Sequence, residues 1–178
     1  MSEKSRRHPN VVNVDEVEPA ATRTASKGSR FGFTARFMGR ASGGKGLGCG
    51  YYEVPPGRTA FPAHYHCANE EAIFVLEGVG TARIGDARVP VRAGDYLALP
   101  PGPGHAHQLV NTGTGVLRYL CMSTALGAEI IVYPDSGKVA AMANAPGTSW
   151  MDPPWIRGIF REKDKVDYYE GEKTGDET

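Results

Sequence analysis

Residues 57–78 read GRTAFPAHYHCANEEAIFVLEG. Inside this stretch His64-Tyr65-His66 sets two imidazoles at i and i+2. On an extended strand that spacing places both on one face and Tyr65 on the other. Cys67-Ala68-Asn69-Glu70 reads as a connection, and Glu71 opens a second strand whose face continues through Ile73 and Val75. From Ala72 to Leu76 both faces are apolar, the pattern of a strand covered on both sides. A carboxylate that follows paired imidazoles so closely is a candidate metal-binding arrangement.

Short alternating or apolar runs continue outward in both directions. Phe31–Phe37, Cys49–Val54, Ala60–His66, Gly80–Ile84, Arg88–Val91, Asp95–Leu99, Gln108–Asn111, Val116–Ser123 and Glu129–Tyr133 read as strands. Glu77-Gly78, Gly85-Asp86, Ala93-Gly94 and Thr112-Gly113 separate them as turns. Ten or so short strands at about 8–12-residue spacing predict an all-β sandwich or barrel. The 23 glycines and 13 prolines, scattered along 178 residues, fit many turns better than long helices. The glycine-rich Ser42–Gly50 reads as a loop, and Gly39, Gly44 and Lys45 within and beside it miss the phosphate-loop pattern because Gly46 stands at the Ser/Thr position.

Twenty Lys plus Arg balance twenty Asp plus Glu, so the net charge of zero points to no nucleic-acid partner and no anionic membrane. The longest apolar runs are too short to span a bilayer, and the charged Met1–Asn10 lacks the apolar core of a secretory leader. Cys49, Cys67 and Cys121 are odd in number and irregular in spacing, which argues against a disulfide scaffold and for a reducing cytoplasm.

The other histidine pair, His105 and His107, shares a face with Leu109 and Asn111. One imidazole from it, added to His64, His66 and Glu71, makes a three-nitrogen, one-oxygen set that suits Mn, Fe, Co, Ni, Cu or Zn. Four protein ligands on a six-coordinate ion leave two positions open to water, substrate or dioxygen.

These residues resemble the cupin superfamily of small β-barrels. Its first motif, Gly, His-x-His, Glu and Gly, is matched by Gly57, His64-Tyr65-His66, Glu71 and Gly78. The six-residue gap to Gly78 selects Glu71 over Glu70, while six residues rather than five separate Gly57 from His64. Its second motif, Gly, Pro-x-Gly, His and Asn, is matched by Gly94, Pro100 and Gly102. There His105 keeps the gap from Gly102 but meets Leu109 where Asn is expected. His107 keeps the three-residue gap to Asn111 but needs a two-residue insertion at Pro103-Gly104. His107 is preferred, because loop length changes more easily than strand spacing.

The resemblance covers residues 50–123 and implies a double-stranded β-helix, the cupin jelly-roll barrel, over residues 29–145 with its motif core at 57–111. A polar arm, 1–28, precedes it, and an irregular aromatic and charged segment, 146–178, follows. The implied cofactor is one divalent transition metal, Mn, Fe, Ni or Zn, held by His64, His66, Glu71 and His107. The implied partners are a small-molecule ligand or substrate and a second copy in a homodimer. A weaker similarity, through Tyr133-Pro134-Asp135-Ser136-Gly137-Lys138 and through Phe160-Arg161-Glu162, Tyr168 and Gly171-Glu172, points to stand-alone bacterial cupins provisionally named sugar-phosphate isomerases.

The functional expectation is a metal-dependent enzyme acting on a sugar, sugar phosphate or oxoacid, either an isomerase or an open-site dioxygenase. A non-catalytic binding module is the alternative. His105, Tyr65 and Glu70 are the candidate acid–base groups. Cys67 follows the inward His66 and is expected to point away from the metal. Asp135 and Lys138 belong first to a turn, with ligand presentation as the second reading. The tail aromatics Trp150, Trp155, Phe160, Tyr168 and Tyr169 are expected to be buried against the barrel, with a lid or dimer contact as the alternative.

Overall fold

His64 and His107 exchange backbone hydrogen bonds, His64 N to His107 O at 3.1 Å and His107 N to His64 O at 2.7 Å, and this isolated bridge joins two sheets into one. The computed structural model describes residues 8–20, 28–145, 148, 153–173 and 175. Its strands are β1 (Thr34–Arg36), β2 (Leu47–Val54), β3 (Tyr65–His66), β4 (Glu71–Glu77), β5 (Val79–Ile84), β6 (Ala87–Arg92), β7 (Tyr96–Leu99), β8 (His107–Val110), β9 (Leu117–Thr124), β10 (Ala128–Tyr133), β11 (Lys138–Ala143) and β12 (Ile156–Arg161). One sheet runs β1-β2-β9-β4-β7; the others run β6-β5-β8 and β12-β11-β10-β3, the pair that the His64–His107 bridge connects. All the named strand pairs are antiparallel.

The two layers are held by one apolar core. Tyr52, Val54, Ile73, Val75, Leu97, Leu99, Leu117 and Tyr119 enter from the five-stranded sheet and meet Ala82, Val91 and Leu109 of the facing one. Leu99 and Leu117 are fully buried, and each contributes about 1.5–3 kcal/mol of apolar transfer free energy. This is the all-β barrel that the strand count and spacing predict, in the jelly-roll form that the resemblance implies.

The turn residues do the work that the spacing assigned them. Gly78 adopts φ 88°, and a Cβ there would lie 2.7 Å from the carbonyl oxygen of Val116, so only glycine lets β4 turn directly into β5. Gly102, at φ 114°, donates its N–H to His66 O at 2.8 Å. The two-residue excess at Pro103-Gly104 is taken up as a 3-10 turn, Pro103–His105, between β7 and β8. Asn111 is a lock rather than a ligand: its Nδ2 donates to Val54 O and Gly115 O, both at 2.8 Å, and its Oδ1 accepts from Gly113 N.

Four expectations change. Ala60–His66 is mostly irregular, with only Tyr65–His66 forming a strand, because Pro62 removes a donor and the segment meets β8 only through single bridges at Thr59 and His64. A short helix, Met38–Ala41, precedes the glycine loop. The C-terminal segment is not irregular throughout: Ile156–Arg161 pairs along its length with β11, a strand whose Val-Ala-Ala-Met-Ala sequence shows no alternation. Nor are its aromatics buried. Trp155, Phe160, Tyr168 and Tyr169 are all more than half exposed, since β12 is the outer strand of its sheet. Trp150 lies outside the described residues. No helix among the described residues is long and apolar enough to cross a membrane.

Candidate metal centre

Three imidazoles of the joined sheet converge on one carboxylate of the facing sheet. Glu71 Oε2 lies 3.2 Å from His66 Nε2, 3.2 Å from His107 Nε2 and 3.9 Å from His64 Nε2. Each side chain arrives there through ladder register. His64 and His107 are directly opposed across the bridge and so point to the same face. His66 follows His64 by two. Glu71 stands at the head of β4, paired with Leu99 and Ser123 on either side, and shares its inward face with buried Ile73 and Val75. The ligand atoms of His64, His66 and Glu71 lie within 4.8 Å of one another.

The far side of each ring is occupied. His64 Nδ1 lies 2.9 Å from Pro62 O, and His107 Nδ1 lies 3.0 Å from His105 O. A carbonyl can only accept, so both Nδ1 atoms carry hydrogen, and in the neutral rings the Nε2 lone pairs face the cluster. His66 Nδ1 faces the buried carboxylate of Glu129 at 3.5 Å. Both nitrogens of His66 are buried without a hydrogen-bond partner, an arrangement that buried polar atoms rarely tolerate. The donor set therefore fits a cation: three imidazole nitrogens and one carboxylate oxygen aimed at a shared point, with both His66 nitrogens orphaned.

The electrostatics agree. Burial pushes Glu71 up, yet its imidazole neighbours, His107 first and then His66 and His64, hold it well below the carboxylate range. Burial, then the charge on His107, brings His64 down to about 4. For His66 burial is outweighed by the carboxylates of Glu71 and Glu129, and its pKa is raised.

Two residues here carry no motif signal. Glu129 accepts from the backbone N–H groups of Cys67 (3.1 Å), Ala68 (3.2 Å) and Asn69 (2.7 Å), fixing the connection between His66 and Glu71. Cys121 Sγ lies 3.7 Å from Glu71 Oε1, so its thiol caps the carboxylate oxygen that faces away from the imidazoles. Burial pushes that thiol well up, keeping it protonated. Cys121 could have been inferred from register, because it pairs with Ile73 and Tyr52–Tyr119 stack just beyond. Glu129 had no signal short of the tertiary fold.

Of the candidate acid–base groups, Tyr65 is on the opposite face of β3 from His66, and Glu70 is exposed, its N–H bound to Thr124 Oγ1. His105 closes the 3-10 turn and reaches the cluster through its carbonyl on His107. Cys67 is exposed and away from the cluster.

A family model described as the cupin domain matches residues 50–123. Residues 50–123 are a cupin domain. The cupin stretch contains all four converging side chains. Among solved structures, the chain has the fold of a protein provisionally named a sugar phosphate isomerase from Acidithiobacillus ferrooxidans (TM-score 0.70, 21% identity, 89% of this chain and 96% of that one). It also has the fold of a cupin-superfamily protein named a sugar phosphate isomerase from Silicibacter pomeroyi (TM-score 0.71, 19% identity, 90% and 98%). An uncharacterized protein of Methanocaldococcus jannaschii is 33% identical over 70 residues, 39% of this chain. The match takes in about half of that curated relative, 54% of its length.

Proposed function

We propose that this cupin binds one divalent transition metal, Mn, Fe, Ni or Zn, through His64, His66, His107 and Glu71, and acts on a small polar metabolite such as a sugar, sugar phosphate or oxoacid. One observation carries the reading: three imidazole Nε2 atoms face a single carboxylate oxygen at 3.2–3.9 Å, and His66 is left without a hydrogen bond. When bound there, the metal supplies a Lewis acid with positions open to substrate oxygen. The chain's own groups hold the imidazoles of His64 and His107 in the Nδ1–H form, cap the spare oxygen of Glu71 with Cys121, and back the cluster with the aromatic layer of Tyr52, Phe61 and Tyr119.

The isomerase reading takes its support from the names of the two proteins that share this fold. An open-site dioxygenase uses the same ligands, and a non-catalytic binder differs only in lacking turnover. Metal analysis of the purified protein, followed by turnover of sugars, sugar phosphates and oxoacids with and without oxygen, separates the three. Metal below about 0.1 ion per chain after reconstitution sinks the site. Full loading with no turnover leaves the binding module.

The domain limits follow the same reading: an arm at 1–28, the barrel at 29–145 and a C-terminal segment from 146 that adds β12 to the sheet. We read the protein as a cytoplasmic homodimer. Unpaired Cys49, Cys67 and Cys121 support the compartment, and Tyr96 exposed beside Phe74 on the outer face of the five-stranded sheet supports pairing. Light scattering in solution checks the second claim; a monomer at micromolar concentration refutes it.

A further inference from the structure

Two of the proposed metal ligands, His107 and His64, lie at one end of a single cross-strand row. His107 opposes His64 across the bridge. On the other side β3 pairs with β10 as His66 with Ile131 and Tyr65 with Val132, so the next position brings Tyr133 beside His64, and their ring centroids are 6.0 Å apart. Tyr133 opposes Lys138, and Lys138 opposes Arg161. Directly opposed residues of an antiparallel ladder point to the same face. His107, His64, Tyr133, Lys138 and Arg161 therefore form one inner-facing row that runs from the metal centre outward.

The chemistry changes along it in a consistent order. Next to the imidazoles stands an aromatic ring. Lys138 Nζ lies over that ring, 5.4 Å from its centroid. Arg161 follows, at an open recess of about 450 Å³ lined also by Ser136, Gly137, Lys163 and Lys165, whose one acidic residue, Glu162, is paired with Lys165 at 3.3 Å. Among the described residues neither Lys138 nor Arg161 has a carboxylate partner. Two strand spacings, about 10 Å, separate the backbones of His64 and Lys138. That is within the span of a short sugar phosphate or a dicarboxylic oxoacid.

We infer that the ligand of this site is an anion, its reacting end at His64, His66, His107 and Glu71, its body against Tyr133, and its phosphate or second carboxylate held by Lys138 and then Arg161. The inference rests on the proposed metal centre for the reacting end only. Lys138 is a binding residue that reads charge and length; nothing in the row assigns it to proton transfer.

Calorimetry with matched probes tests it on the reconstituted full chain: ribose phosphate against ribose, and α-ketoglutarate against α-ketovalerate. The more highly charged member of at least one pair binds about tenfold tighter or better, as a charge-assisted hydrogen bond provides. Lys138→Gln removes most of that preference, Lys138→Arg retains it, and Arg161→Gln weakens it about threefold. Equal binding within both pairs, binding of none of the four, or a preference untouched by Lys138→Gln overturns the inference. Metal content measured on the same samples keeps the two readings apart. It stays at the wild-type level in Lys138→Gln. A full metal complement without charge preference refutes this inference alone. A Lys138-dependent preference in protein that holds no metal supports it while refuting the metal centre.

Discussion

The joined sheet behaves as two regions with one backbone pattern. Over β8, β3 and the start of β10 its inner face is pressed on the five-stranded sheet, and even ionisable groups are buried there: His66, His107 and Glu129 are each less than a tenth exposed. Over β12 the same face runs into solvent. The row His66, Ile131, Ala140, Ile159 starts buried and ends 62% exposed. Antiparallel pairing runs through both regions, through two pairs and a bridge at β3 and six pairs at β12. What differs is the layer behind them, and with it the local dielectric, so polar side chains near β3 need matched partners while apolar ones on β12 go uncovered.

The contrast is broken most directly at the buried end. Glu71→Gln, or His64→Ala with His66→Ala, lowers metal affinity about a thousandfold or more and takes metal content from about one ion per chain to near zero by atomic absorption. Retained stoichiometry in either variant refutes the ligand set. His107→Ala does the same and His105→Ala does not, because only His107 has a nitrogen facing Glu71.

Glu129→Gln is next. It leaves an amide where three backbone donors and His66 converge, and costs about 3 kcal/mol in urea unfolding of the metal-free protein. A loss under about 1 kcal/mol means the 67–69 connection does not depend on that carboxylate.

A smaller effect is expected from pH. The flanking carboxylates raise His66, so its proton is held more tightly than on a free imidazole and must be displaced by the metal. His64, brought down to about 4, is already neutral at higher pH and adds no such competition. Metal affinity therefore falls as pH falls, about tenfold per unit while one proton is displaced. Affinity flat from pH 6 to 8 (about two units around the free-imidazole value) would count against His66 as a ligand. The smallest effect belongs to the exposed region: Ile159→Ser changes stability by no more than about 0.5 kcal/mol and leaves metal content intact. A loss above about 2 kcal/mol shows that the outer strand is covered in solution by a partner surface.

Much of the centre is visible in residue order because a strand has a period of two. His64 with His66, and Glu71 with Ile73 and Val75, are local consequences of that period. The motif glycines are legible for a similar reason: Gly57, Gly78, Gly94 and Gly102 all have positive φ, which other residues seldom adopt. The strand β11 was not legible, since Val139-Ala140-Ala141-Met142 alternates in neither size nor polarity and owes its conformation to neighbours on both sides. Burial of the tail aromatics was misjudged because hydrophobicity states what a side chain favours, not whether a surface remains to receive it.

By itself the sequence determined the β architecture and the placing of His64 and His66 on one face, and its motif resemblance favoured Glu71 over Glu70. All of these rest on spacing between residues near in the chain. Only the tertiary structure decided that His107 meets Glu71, that Glu129 and Cys121 flank the cluster, and that Tyr133, Lys138 and Arg161 continue its row. Those neighbours come from strands tens of residues apart, and their proximity is set by sheet register and layer packing, which no local period encodes.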